Sequence, residues 1–126
     1  VWLYSKGLLV LIGIHQTDTP EKTSSLVHKL VHLRIFNDSE DKMNLNVQDV
    51  GGQILVISQF TLYGNCLSGR RPDFIQAAPP ALALPIYHKF VEEVRQTMGS
   101  VQTGQFGAEM QVALINDGPA TFIIEV

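Results

Sequence analysis

Leu8–Ile14 is a continuous aliphatic run rather than an alternating one, and this constrains the chain more than any other stretch. A strand that alternates can leave one face in water, whereas a strand that is apolar at every position has to be covered on both faces. The run therefore predicts a central strand with material packed above and below it. A second run, Ile54-Leu55-Val56-Ile57, asks for the same burial and passes abruptly into the polar Ser58 and Gln59. Two such strands need helices to cover them, and two stretches have the required period. Leu26, Leu30 and Leu33 recur at spacings of four and three, with Val27 and Val31 beside them, and Asp18-Thr19-Pro20-Glu21 carries the signals of a helix start, so a helix is predicted over 20–33. Ile86, Phe90, Val94 and Met98 recur at every fourth position, with Tyr87 and Val91 alongside, which predicts a second helix over about 80–98. Pro85 conflicts with that span: either the helix starts there or its first turn is bent.

The remaining chain reads as short strands and turns. Val1-Trp2-Leu3-Tyr4 resembles the second half of a hairpin turning at Ser5-Lys6-Gly7, and Met43–Val47 is a short strand ended by Gly51-Gly52. Val101–Phe106, Glu109–Ile115 and Thr121–Val126 predict a β-rich C-terminal third. The expected architecture is one α/β domain over 1–126, with mixed, mostly antiparallel, barrel-like sheets and two main helices. A length of 126 residues with 45% hydrophobic content suits a single core.

Few chemistries survive inspection. Cys66 is the only cysteine, which excludes an intrachain disulfide and a cysteine zinc set and suits a reducing compartment, so the cytoplasm is expected. The longest apolar run, Gly7–Ile14, is too short to cross a bilayer, and no membrane partner is expected. His28 and His32 stand one helical turn apart but have no acidic or cysteine companion, and the acids of Phe36–Lys42 lack the spacing of a calcium loop; no metal and no cofactor are expected. A net charge of −3 argues against a broad basic face for duplex DNA, yet leaves a local contact with an RNA end open. Arg70-Arg71, in the long loop Tyr63–Ala78, reads equally as a solvated pair or as a phosphate contact.

Two polar stretches at strand ends remain. Ser58-Gln59-Phe60-Thr61 follows a core strand, where side chains and free backbone N–H groups are held rigidly. Ser58 and Thr61 are the nucleophile candidates, but neither has an evident base, and either hydroxyl alone would be weak. The successive N–H groups of Phe60 and Thr61 could instead stabilise an oxyanion, which needs no ionisable side chain. The second stretch, Asn116-Asp117-Gly118-Pro119-Ala120-Thr121, is a turn between the strands Val112–Ile115 and Phe122–Val126. It has a sharper reading as well: a Gly118-Pro119 peptide, if cis, presents two carbonyls in a fixed arrangement.

Ile57-Ser58-Gln59-Phe60-Thr61-Leu62 together with Asn116-Asp117-Gly118-Pro119-Ala120-Thr121 resembles the paired signature of D-aminoacyl-tRNA deacylases. Gly7–Leu11, Arg34–Phe36, Lys42–Val47, Arg71–Phe74 and Thr103–Val112 resemble further segments of that family in the same order. The resemblance implies a homodimer that hydrolyses the ester between a D-amino acid and the 3′-terminal adenosine of tRNA. It implies that Gly118-Pro119 is cis and enters the partner's site as a filter against L-amino acids, with Asn116 part of the same motif. Ser58, Gln59, Phe60 and Thr61 would form the opposing wall and the oxyanion site, and Phe106 and Met110 an adenosine pocket. It also implies that the RNA 2′-hydroxyl takes part in hydrolysis, and that a further N-terminal strand and hairpin belongs to the fold. Pro85 stands where relatives carry ordinary helix formers. The other reading of the same fold is a non-catalytic module that holds an RNA 3′ end or a protein.

Overall fold

The computed structural model, which describes residues 6–126, lays the two aliphatic runs side by side. In chain order the elements are β1 (Gly7–Ile12), α1 (Lys22–His32), β2 (Phe36–Asn37), β3 (Met43–Leu45), β4 (Gln53–Ser58), a 3-10 turn (Phe60–Tyr63), α2 (Pro80–Met98) and β5 (Gln102–Thr103). β1 pairs with β4 from Gly7 opposite Gln53 to Ile12 opposite Ser58, and β4 pairs with β5 on its other side. Both pairings are parallel.

The expectation of mostly antiparallel sheet is therefore corrected: the main sheet is parallel, and the antiparallel pair is the small hairpin β2–β3. The physical reason lies in the connection: the long segment from Gly13 to Gly52 supplies the crossover that parallel pairing requires. Cover on both faces, expected of both runs, is met better by β4, where Ile54, Val56 and Ile57 are buried, than by β1, where Leu11 is 43% exposed. The barrel-like expectation is corrected as well, since no sheet closes among the described residues; the larger one has three strands in the order β1-β4-β5.

α1 and α2 occupy their predicted places. In α1 the buried stripe is Val27, Leu30 and Val31 with Leu26 only partly buried, so the valines lie at its centre and not at its margin. Asp18 does not cap α1. Its carboxylate accepts the His15 N–H at 2.7 Å and the Lys22 ammonium at 3.0 Å, closing the turn that leads into the helix. α2 starts at Pro80, where a missing N–H costs nothing, and ends at Gly99, whose φ of 84° turns the chain out of the helix. Pro85 lies inside the helix and neither starts it nor ends it. Phe90 and Val94 are fully buried and pack with Val31, Val47, Ile54 and Val56 in one core.

Asp38 shapes the hairpin loop by accepting the backbone N–H groups of Lys42 and Glu40. The Lys42 bond in particular holds its carboxyl below the usual carboxylate range.

The β-rich C-terminal third is not borne out. Gln102–Thr103 pairs with β4, but residues 104–126 form no strand among the described residues. A strand exists only against a neighbour, and here the apolar side chains of Leu114, Ile115, Phe122 and Ile123 stay exposed. The predicted strand at Val1–Tyr4 lies outside the described residues.

Candidate functional site

Ser58 closes β4 opposite Ile12, and the Gln59 N–H bonds the Ile12 carbonyl at 2.8 Å, so the parallel ladder holds the chain up to this point. The backbone then tightens. Leu62 N–H bonds the Gln59 carbonyl at 3.2 Å and Gly64 N–H bonds the Thr61 carbonyl at 2.9 Å, which makes Phe60–Tyr63 a single 3-10 turn. Its first two N–H groups, those of Phe60 and Thr61, meet no acceptor among the described residues. A short helical turn leaves its leading donors unpaired, and here they sit at the end of a core strand.

The Gln59 side-chain amide donates to the Thr61 hydroxyl. No histidine or carboxylate bonds that hydroxyl among the described residues. The His15 ring lies against Tyr63 of this turn, with ring centroids 5.2 Å apart, and its Nδ1 is engaged by the Thr17 hydroxyl at 2.8 Å. Burial, helped by the Asp18 and Glu125 carboxylates, pushes the Tyr63 phenol above its ordinary pKa.

Phe60 is 57% exposed, and its ring meets Phe74 edge-on at 5.1 Å. Phe74 is a residue to which sequence reasoning gave no role. Its loop folds back through two bonds between Asn65 and Asp73, at 2.8 and 3.0 Å, so the exposed Arg70 and Arg71 lie on a loop whose base stands directly after the Phe60–Tyr63 turn. Neither arginine has an acidic partner among the described residues. The Arg71–Phe74 segment offered a signal, but nothing in it announced an aromatic contact with Phe60.

Met110 reaches the same region through Gly104. A Cβ at Gly104 would lie 2.8 Å from Met110 Sδ and 2.9 Å from Ile57 Cδ1, so the absence of a side chain lets Met110 settle next to the residue preceding Ser58. Phe106 packs on Tyr87 of α2 at 5.3 Å.

The Asn116–Thr121 loop closes on itself. Asn116 Oδ1 accepts the Ala120 N–H at 3.0 Å, and its Nδ2 donates to Thr121 Oγ1 at 3.1 Å. The Gly118–Pro119 peptide is cis, and the loop is exposed throughout. No hydrogen bond joins it to Ser58–Thr61 among the described residues. The fold thus gathers Ser58, Gln59, Phe60, Thr61 and Met110 at one strand end. It presents Asn116, Gly118 and Pro119 outward as a separate unit.

The D-Tyr-tRNA(Tyr) deacylase family model matches residues 3–125. A D-aminoacyl-tRNA deacylase of Protochlamydia amoebophila (strain UWE25) is 61% identical over 119 residues, covering 94% of this chain and 79% of the relative. One from Geobacillus sp. (strain WCH70) is 56% identical, covering 94% and 78%. Among solved structures, a "c-Myc DNA Unwinding Element Binding Protein" superposes with a TM-score of 0.84 at 40% identity, covering 91% of this chain and 78% of that one. A probable eukaryotic D-amino acid tRNA deacylase, at 21% identity and TM-score 0.70, shares the fold and covers 82% of this chain and 76% of the other. The family model covers nearly the whole chain and the relatives are more than half identical to it, so the chain belongs to the D-Tyr-tRNA(Tyr) deacylase family.

Proposed function

We propose that residues 1–126, as a single domain, hydrolyse the ester joining a D-amino acid or glycine to the 3′-terminal adenosine of tRNA, with backbone donors in place of a side-chain nucleophile. As a family member the chain is a D-aminoacyl-tRNA deacylase, an ester hydrolase acting in the quality control of translation. The observation that supports the mechanism is that the N–H groups of Phe60 and Thr61 meet no acceptor among the described residues, beside a Thr61 hydroxyl that none of those residues' histidines or carboxylates bonds. Such donors, fixed before the substrate arrives, stabilise negative charge where it develops. Water adds to the ester carbonyl, whose oxygen becomes the oxyanion. The bond to the ribose 3′ oxygen breaks, the amino acid leaves as a carboxylate, and of the water's two protons one passes to the 3′ oxygen and the other to solvent. We assign activation of the water to the neighbouring 2′-hydroxyl of the RNA, since no histidine or carboxylate among the described residues bonds the Thr61 hydroxyl. Met110 and Phe106 are assigned to the adenosine, and Arg70 and Arg71 to phosphates of the RNA end.

Selectivity is assigned to the Gly118–Pro119 carbonyls of a second copy, with Asn116 bracing their loop. Support comes from the loop's exposure, its self-contained bonding, and the exposed apolar residues on both sides of it, which suit a two-fold dimer. A filter of this kind works by a clash against the L side chain and contains no pocket for the D side chain. Glycine then passes, and D-amino acids of different size are cleaved alike. The cytoplasm, where aminoacyl-tRNA is used, is the proposed compartment.

The c-Myc DNA Unwinding Element Binding Protein relative favours a second reading, a nucleic-acid module without chemistry. Release from glycyl-, D-aspartyl-, D-tyrosyl- and L-tyrosyl-tRNA at matched concentrations separates the two. Cleavage of all but the L-substrate is expected. Binding without release would establish the module, and rejection of glycine beside cleavage of both D-substrates would show a pocket that reads side chains.

A further inference from the structure

We infer that the groove at the C-terminal end of α1 is a second contact for tRNA, one that holds phosphodiesters upstream of the 3′-terminal adenosine. The inference rests on the deacylase reading for its partner. The groove is an open depression of about 500 Å³ lined by Ser25, His28, Lys29, His32, Leu33 and Arg34. From Lys22 to Asn37 the chain contains no aspartate or glutamate, although its net charge is −3. Lys29 and Arg34 have no acidic partner among the described residues. Arg34 donates its Nε–H to the Asn44 carbonyl at 2.9 Å, which aims the guanidinium, and among the described residues its two terminal nitrogens have no hydrogen-bond partner. His32 Nδ1–H donates to the His28 carbonyl at 2.8 Å, which fixes the ring at the wall of the groove.

Position separates this groove from the site at Ser58. Lys22 and Thr23 share a cleft with Ile12–Ile14 at the C-terminal end of β1, level with Ser58, and α1 carries the chain back toward the other end of the sheet. Ten residues of helix place His32 about 15 Å further along. The groove is therefore too far down to meet the terminal adenosine, and it suits phosphates several nucleotides before it.

Lysine and histidine in a last helical turn also complement the helix dipole, which is the plainer account of Lys29 and His32. That account does not cover Arg34, which lies beyond the helix, and it predicts a different result on substitution.

The test is the double substitution Lys29→Ala, Arg34→Ala in the full chain, probed with uncharged tRNA, charged tRNA and D-tyrosyl-adenosine. The expected result is weaker binding of uncharged tRNA, by about tenfold or more, with the slope of log affinity against log salt reduced by about 2, one for each phosphate that the variant leaves unneutralised. On charged tRNA, KM rises while kcat holds, and cleavage of D-tyrosyl-adenosine is unchanged. Equal losses on tRNA and on D-tyrosyl-adenosine would overturn the inference. So would unchanged tRNA affinity with a lowered Tm, the dipole's signature, or displacement of tRNA by inorganic phosphate at constant ionic strength. If the unsubstituted chain binds tRNA through the groove yet hydrolyses nothing, the deacylase reading falls and the groove stands.

Discussion

The ring of Phe74 stands edge-on to that of Phe60, 5.1 Å away, and fastens the Arg70-Arg71 loop to the turn that carries the proposed oxyanion donors. An aromatic pair contributes about 0.5–1.5 kcal/mol beyond the area it buries. That term alone corresponds to roughly 2–6 °C in Tm for a domain of this size, and Phe74→Ala, which also gives up the area this 37%-exposed residue buries, should lower Tm by at least that much. The functional cost should be greater: KM for charged tRNA rises, because both the turn and the arginines lose their anchor. Thermal melting set beside steady-state kinetics checks this, and an unchanged KM would show that Phe74 is packing alone.

Gly104 offers a test of the proposed adenosine pocket without touching a proposed catalytic group. Ala at this position would place its Cβ within 2.8 Å of Met110 Sδ and 2.9 Å of Ile57 Cδ1; Ile57 is buried and β-branched, so the partly exposed, flexible Met110 is the side chain that gives way. The fold should survive with Met110 displaced. Gly104→Ala is expected to raise KM for D-aminoacyl-tRNA several-fold with little change in Tm. A normal KM would remove Met110 from the pocket.

The helix pair carries a pH-dependent clasp. Lys89 Nζ lies 2.8 Å from Glu93 Oε1, 2.9 Å from Thr23 Oγ1 and 3.0 Å from the Pro20 carbonyl, and the buried Thr23 hydroxyl also donates to Glu93. Burial opposes ionisation of Glu93, but hydrogen bonds from Lys89, Thr23 and Ser24 outweigh it and hold the carboxyl below its ordinary 4.5. A depressed folded-state pKa gives stability that is complete above the unfolded value and is lost as pH falls through the folded one. The Tm advantage of the unsubstituted chain over Glu93→Gln should thus be full at neutral pH and shrink below pH 4.5. An advantage that persists in strong acid would contradict the assignment.

These elements differ in how far the sequence revealed them. The two aliphatic runs were legible from their unbroken apolar character and the two helical stripes from their period, and the span of α2 matches despite Pro85. Strand direction was not legible: Leu8–Ile14 demands cover on both faces, but the choice of neighbour depends on the whole crossover from Gly13 to Gly52. The C-terminal third has strand-like composition without a strand, because composition records a preference while pairing needs a partner. Within the candidate site, the polar stretch Ser58–Thr61 was legible as the end of a core strand, where the structure places it. Phe74 and Gly104 were not, since a contact across a loop or the space left by a missing Cβ carries no local signature.

The most direct test of a backbone-driven hydrolysis is the rate of D-tyrosyl-tRNA cleavage by Thr61→Ala, which removes the hydroxyl and keeps the amide. Loss of one oxyanion donor typically lowers the rate by ~10²–10³. The account predicts that Thr61→Ala stays within about tenfold of the unsubstituted enzyme, because its donors remain. A fall of ~10²–10³ in a correctly folded variant, or an acyl group trapped on Thr61 of the unsubstituted enzyme, would contradict it.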